Sequence, residues 1–122
     1  MLTRVLDYFG VKKAVFVGHD WGGGVAFEFA LRKPERVEGV VGYNVSYRDA
    51  GGMAQLGRRY KPRRLLLCWE DSQVHLRKKG VALAKAAGVS LLDCNSQGPY
   101  AVMQHTHKFL AGLLEQRRQS RG

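Results

Sequence analysis

The sequence predicts an α/β chain of about four parallel strands with flanking helices. Short apolar runs at 14–17, 37–43, 65–69 and 89–94 alternate with stretches of helical periodicity. Near-continuous apolar runs suit parallel strands covered on both sides by helices. Gly10, Pro34 and Gly88 stand where those helices should stop. At 122 residues and 45% hydrophobic content, the chain is long and apolar enough for one globular domain.

In order, Leu2, Val5, Leu6 and Phe9 have amphipathic spacing, so Thr3 to Phe9 is expected as a helix ended by Gly10. Ala14 to Val17 is a strand. A helix follows to about Arg32, before Pro34. Val37 to Tyr43 is the next strand. The stretch 44–63 contains Gly51-Gly52, Gly57 and Pro62, and only Met53 to Leu56 has a helical look, so it is expected as a short connector. Leu65 to Trp69 and Val89 to Cys94 are further strands. Between them Val74 to Ala87 is a helix with Leu76, Gly80, Leu83 and Ala87 along one stripe. The closing helix, Tyr100 to about Arg118, is expected to face the sheet with Phe109, Leu110, Leu113 and Leu114.

The informative stretch is Gly18-His19-Asp20-Trp21-Gly22-Gly23, set between the first strand and its helix. An acidic residue at such a bend, with small residues two before and two after, is the pattern of a nucleophile elbow. Gly18 and Gly22 are expected to let the backbone approach closely. Asp20 would stand at a helix N-terminus, where amide groups and the dipole favour negative charge.

On these residues the chain resembles the α/β-hydrolase family, its epoxide hydrolase branch most closely and haloalkane dehalogenases next. Lys33-Pro34-Glu35-Arg36-Val37 and the strand after it extend the similarity. The resemblance implies a partial α/β-hydrolase fold over 1–122, from the nucleophile strand to the closing helix. It also implies that 44–63 replaces a cap domain. It implies Asp20 as a nucleophile that forms an alkyl ester hydrolysed by water, with the Trp21 backbone N–H as oxyanion donor. In that family's order the acid follows the 65–69 strand. Asp71 is the candidate there, although alignment also permits Ser72, and some relatives place the acid where Asp49 stands. Pro99 occupies the histidine's usual place between Gly98 and Tyr100, which leaves His105 as the candidate base. His19 is expected in the packing around the elbow, and His75 as an exposed helix residue. Tyr43, Tyr47 and Tyr60 carry phenols within the region, each more plausible as a structural residue than as a proton donor.

The net charge is +10, from 20 Lys+Arg against 10 Asp+Glu. Clusters at 58–64, 77–79 and 117–121 read as solvated loops and helix ends rather than a nucleic-acid surface, because no nucleic-acid module pattern accompanies them. Cys68 and Cys94 read as small buried hydrophobes, consistent with a reducing cytoplasmic setting. No apolar run is long enough for a membrane span. No cofactor or metal is called for, and the implied ligand is a small epoxide or alkyl halide. The strand at 14–17 would carry an unpaired apolar edge that invites self-association. The alternative to an enzyme is therefore a non-catalytic half-fold acting as an interaction module.

Overall fold

The computed structural model describes the backbone of residues 1–45, 50–89, 92–96 and 99–121, with all side chains there except those of 50, 62, 71, 94–96, 99–102, 120 and 121. The elements run α1 (Leu2–Tyr8), β1 (Ala14–His19), α2 (Trp21–Arg32), β2 (Val37–Tyr43), α3 (Ala50–Arg64), β3 (Leu65–Glu70), α4 (Val74–Ala86), β4 (Leu92–Ser96) and α5 (Pro99–Arg121). The sheet order is β1-β2-β3-β4, and every neighbouring pair is parallel. This is the α/β architecture expected, with strands in sequence order and a helix in each crossover.

Strand alternation splits the core in two. Val40, Leu65, Leu67 and Trp69 pack with Phe27, Ala30, Met53, Leu56 and Tyr60, on the side of α2, α3 and α4. Val41, Leu66 and Cys68 pack with Phe109 and Leu113 of α5 on the other side. The stops of α1 and α4 share one mechanism. Gly10 and Gly88 both take φ +70°, where a side chain is disfavoured. Their amides return to Asp7 and Lys85, and the amides of Val11 and Val89 return to Leu6 and Ala84. Each is a Schellman closure. Val89 thus finishes a helix, and β4 begins at Leu92 rather than at the expected Val89.

The expected connector at 44–63 is corrected most. From Ala50 to Arg64 the chain is helical, with a kink at Lys61 (φ 50°, ψ 170°). Met53, Leu56 and Tyr60 are fully buried, so α3 is a packed crossover between β2 and β3. A Cβ on Gly57 would lie 2.2 Å from Val89 Cγ1, so this glycine permits the close seating of the helix. Tyr60 also solves a local problem. The carbonyl of Ala30, in the last turn of α2, would ordinarily receive the N–H of residue 34, which is Pro34 and has none. The Tyr60 hydroxyl donates to that carbonyl at 2.7 Å instead. Burial raises the Tyr60 pKa above its ordinary 10.0, against the lowering effect of Arg64 and Arg59.

Other expectations change as well. No residue of α1 is buried, although its spacing is amphipathic. Leu114 is exposed rather than sheet-facing. Cys68 is disulfide-bonded, and the strand register sets Cys94, the chain's other cysteine, opposite it. That removes the ground for expecting unpaired thiols in a reducing setting. Several cations, in the clusters and outside them, have specific partners. Arg64 donates to the Glu38 carbonyl at 2.6 Å, Arg36 to Asp7 at 2.8 Å and to the Val11 and Lys12 carbonyls, and Arg117 pairs with Glu38. Among the described residues no helix is long and apolar enough to cross a membrane.

Met53→Ala should cost about 2–5 kcal/mol in urea unfolding, whereas Arg59→Ala on the exposed side of α3 should stay within about 0.5 kcal/mol. A similar small effect at both positions would contradict a packed α3. Tyr60→Phe should cost about 1–2 kcal/mol near neutral pH, because the Ala30 carbonyl loses its donor. The raised phenol pKa contributes stability that is complete below the unfolded value, near 10, and is lost as pH rises through the folded value. Alkaline unfolding followed by circular dichroism should therefore show a steeper fall for the native chain than for Tyr60→Phe.

Candidate active site

Asp20 stands at φ 53°, ψ −116°, between the last residue of β1 and the first of α2. A non-glycine residue held there costs on the order of 1–3 kcal/mol, so its surroundings must impose the turn. The bonding shows how. The Asp20 amide donates to the Tyr43 carbonyl at 2.9 Å, as the last rung between β1 and β2. Its carbonyl accepts from Gly23 at 3.1 Å and from Gly24 at 3.4 Å, the first bonds of α2. One residue ends the strand and begins the helix.

So sharp a reversal brings the first turn of α2 onto β1. A Cβ on Gly18 would meet the Gly22 carbonyl oxygen at 2.5 Å and Gly23 Cα at 2.6 Å. These are backbone atoms and cannot swing aside. A Cβ on Gly23 would meet Val45 Cγ2 at 2.1 Å. Around Gly22 there is open space, so the role expected of Gly22 belongs to Gly23. Asp20 itself is exposed, and Trp21 beside it is 87% exposed. The carboxylate is therefore on the surface at a helix start, where amides and the dipole favour an anion.

Asn44 is a residue that sequence reasoning passed over. It has φ 51°, a conformation Asn tolerates better than most residues. Its amide donates to the Cys68 carbonyl at 2.9 Å, and its Oδ1 accepts the Glu70 amide at 3.0 Å. Its Nδ2 makes a long 3.5 Å contact with His19 Nε2. Asn44 thus joins the C-terminal ends of β1, β2 and β3 beneath Asp20. The available signal was an asparagine directly after an apolar strand. His19 is exposed, which corrects its expected place within the packing.

The other candidates are spread around this platform. Asp71 opens a short 3-10 turn after β3, Asp71–Gln73, and its side chain lies outside the described residues. Asp49 and Tyr47 lie outside them too. Ser72 and His75 are exposed. Pro99 is the first residue of α5, a position that suits a residue without an N–H. His105 is exposed on α5, next to Thr106, whose hydroxyl is hydrogen-bonded to that of Tyr43. Tyr43 therefore ties α5 to the end of β2, one residue before Asn44. Among the described residues no hydrogen bond or ion pair joins Asp20 to a histidine. Nor is any group of three or more His, Cys, Asp or Glu placed to hold a metal. A groove of about 340 Å³, lined by Arg63, Leu92, Lys108 and Phe109 among others, includes no elbow residue.

A family model described as alpha/beta hydrolase fold matches residues 1–61. Epoxide hydrolase B of Mycobacterium tuberculosis is 43% identical over 79 residues, covering 65% of this chain and 20% of that protein. Homoserine O-acetyltransferase of Thermus thermophilus is 36% identical over 91 residues, covering 75% and 23%. The chain thus spans about a fifth of the length of these relatives. Among solved structures, a predicted CIB-like hydrolase from Thermoplasma acidophilum matches with a TM-score of 0.62 at 19% identity, covering 96% of this chain and 56% of that one. An alpha/beta hydrolase enzyme from a Moroccan lagoon-sediment metagenome also gives 0.62 at 18% identity, covering 99% and 68%.

The two glycines separate the elbow from ordinary helix propensity. Gly18→Ala should destabilise by about 1–3 kcal/mol or more, because backbone occupies the space its Cβ needs. Gly22→Ala should be neutral or stabilising by up to about 1 kcal/mol, as a glycine replaced in a helix. Urea unfolding measures both, and equal effects would contradict the close approach at Gly18.

Proposed function

This chain belongs to the α/β-hydrolase fold family, and on that premise we propose that it is a hydrolase of the epoxide hydrolase type, with Asp20 as nucleophile. The observation that carries the reading is an exposed carboxylate at a left-handed position between a parallel strand and a helix start. The names of epoxide hydrolases to which this chain is similar support it.

In the proposed reaction an Asp20 oxygen attacks a ring carbon of the epoxide. The carbon–oxygen bond of the ring breaks, and its oxygen takes a proton to become a hydroxyl. Water then attacks the carbonyl carbon of the new ester, releasing a diol and restoring the carboxylate. The net change is epoxide plus water to diol. In the second step the Trp21 amide, first in α2, is the proposed donor to the oxyanion. His105 is the proposed base for the water and Asp71 its proposed acidic partner. An alkyl halide is the alternative substrate, with halide as leaving group. Acyl transfer, the activity in the name of the acetyltransferase relative, fits a carboxylate less well, since its acyl-enzyme would be an anhydride. The rival non-enzymatic reading draws on the lack, among the described residues, of a histidine bonded to Asp20.

Styrene oxide and the purified 122-residue chain, followed by intact-protein mass spectrometry and diol analysis, provide the test. The expected result is one substrate mass added to a peptide containing Asp20, absent in Asp20→Asn. His105→Gln should prolong the adduct, slowing its hydrolysis on the order of 10²-fold. Neither adduct nor diol from the native chain would overturn the catalytic reading and favour the interaction module.

A further inference from the structure

We propose that the groove between α3, β4 and α5 is a binding site for a small organic carboxylate with an unbranched apolar tail. Arg63 and Lys108 meet its charge, and Phe109 and Leu92 carry its tail. This goes beyond the catalytic reading and does not rest on it, because the groove includes no elbow residue.

The shape of the groove depends on one glycine. Lys108, Gly112 and Glu115 recur at helical spacing, so one row of α5 forms a wall. A Cβ at Gly112 would meet no atom within 4 Å. The missing side chain therefore leaves a notch in the middle of that row. Glycine inside a helix is unfavourable, and at Gly112 no close contact requires it. What it provides here is room. The groove holds about 340 Å³, near the lower end of the ~300–1,000 Å³ usual for small-molecule sites. Its apolar part is fixed by the fold. Phe109 is 6% exposed and packs with Leu66 in the core, while Leu92, at the start of β4, is 39% exposed.

The chemistry of the lining chooses the ligand. Two neighbouring arginines have opposite fates at the end of α3. Arg64 is spent on the Val37 and Glu38 carbonyls. Arg63, after the kink at Lys61, is exposed and lines the groove. Lys108, across from it on α5, is exposed as well. Among the described residues neither cation has an ion pair or a hydrogen bond. The one carboxylate in the lining, Glu115, pairs with Arg118 at 3.6 Å. The groove is therefore positive above an apolar floor. A guanidinium fork matches a carboxylate through two parallel hydrogen bonds. An inorganic anion would leave the floor in water, and an uncharged hydrocarbon would leave both cations unmatched. An amphiphilic anion uses both features.

The test titrates octanoate into the full, isotopically labelled chain and follows its amide shifts by NMR. Acetate, which carries the head alone, and octylamine, which carries the tail with the opposite charge, are the controls. The expected result is a saturable set of shifts at Leu92, Lys108, Phe109, Gly112 and Glu115. Octanoate should bind on the order of tenfold or more tightly than either control. Its affinity should fall as salt is added, because both cations are exposed. Gly112→Leu fills the notch and should abolish saturation, with circular dichroism unchanged and the urea midpoint equal or higher. Arg63→Gln should weaken octanoate on the order of tenfold and leave octylamine unaffected. The proposal is overturned if the shifts do not saturate, or if they centre instead on exposed Met103 and Leu114. It is also overturned if a control binds as tightly as octanoate, or if Gly112→Leu or Arg63→Gln binds octanoate like the native chain. None of these readouts uses Asp20 chemistry, so failure here is distinct from failure of the catalytic reading.

Discussion

The close approach of the first turn of α2 to β1 at Gly18 governs this molecule. A methyl group at Gly18 would overlap the Gly22 carbonyl oxygen, 2.5 Å away and well inside van der Waals contact, so only glycine admits the approach. That approach forces the reversal at Asp20 into a left-handed conformation, and the two hydrogen bonds from α2 hold it there. The strain is local, and the surrounding bonds offset it. What results is a carboxylate presented to solvent at the positive end of a helix, on a turn whose backbone has little freedom.

The platform beneath that turn is built from strand ends rather than loops. Asn44 links β1, β2 and β3, and the Tyr43–Thr106 hydrogen bond brings α5 to the same end of the sheet. On the helical face, Tyr60 supplies the donor that Pro34 cannot, which lets α2 end abruptly without an orphaned carbonyl. Arg64 serves similarly at the start of β2, where the Val37 and Glu38 carbonyls precede the first pairing with β3 at Val40. Part of the basic character of 58–64 is thus spent on carbonyls and on the Tyr60 ring rather than left as a free surface. These contacts make the sheet a firm base for Asp20.

The strands and the elbow were legible because their signals are local: continuous apolar runs, and glycines around an acid between strand and helix patterns. The crossover at 50–64 was not. Met53, Leu56 and Tyr60 do lie at helical spacing, but Gly51, Gly52, Gly57 and Pro62 outweigh so sparse a stripe when propensity alone is read. The value of Gly57 lies in its contact with Val89, which is visible only in three dimensions. The same holds for Gly22 and Gly23. Both are small and near Asp20, and only the position of Val45 shows which one must be glycine. The amphipathic spacing of α1 and of Leu114 says which side is apolar, not that anything covers it. The pairing of Cys68 depended on strand register, which spacing does not reveal.

The backbone at Asp20 itself is the most direct measurement. Solution NMR of the isotopically labelled chain reports it through the intraresidue amide–Hα NOE and residual dipolar couplings. The account predicts a strong intraresidue NOE and couplings that fit a positive φ at Asp20, with the Gly23 amide protected from exchange. A negative φ at Asp20, continuous with α2 and with Gly18 free of contact, would contradict it.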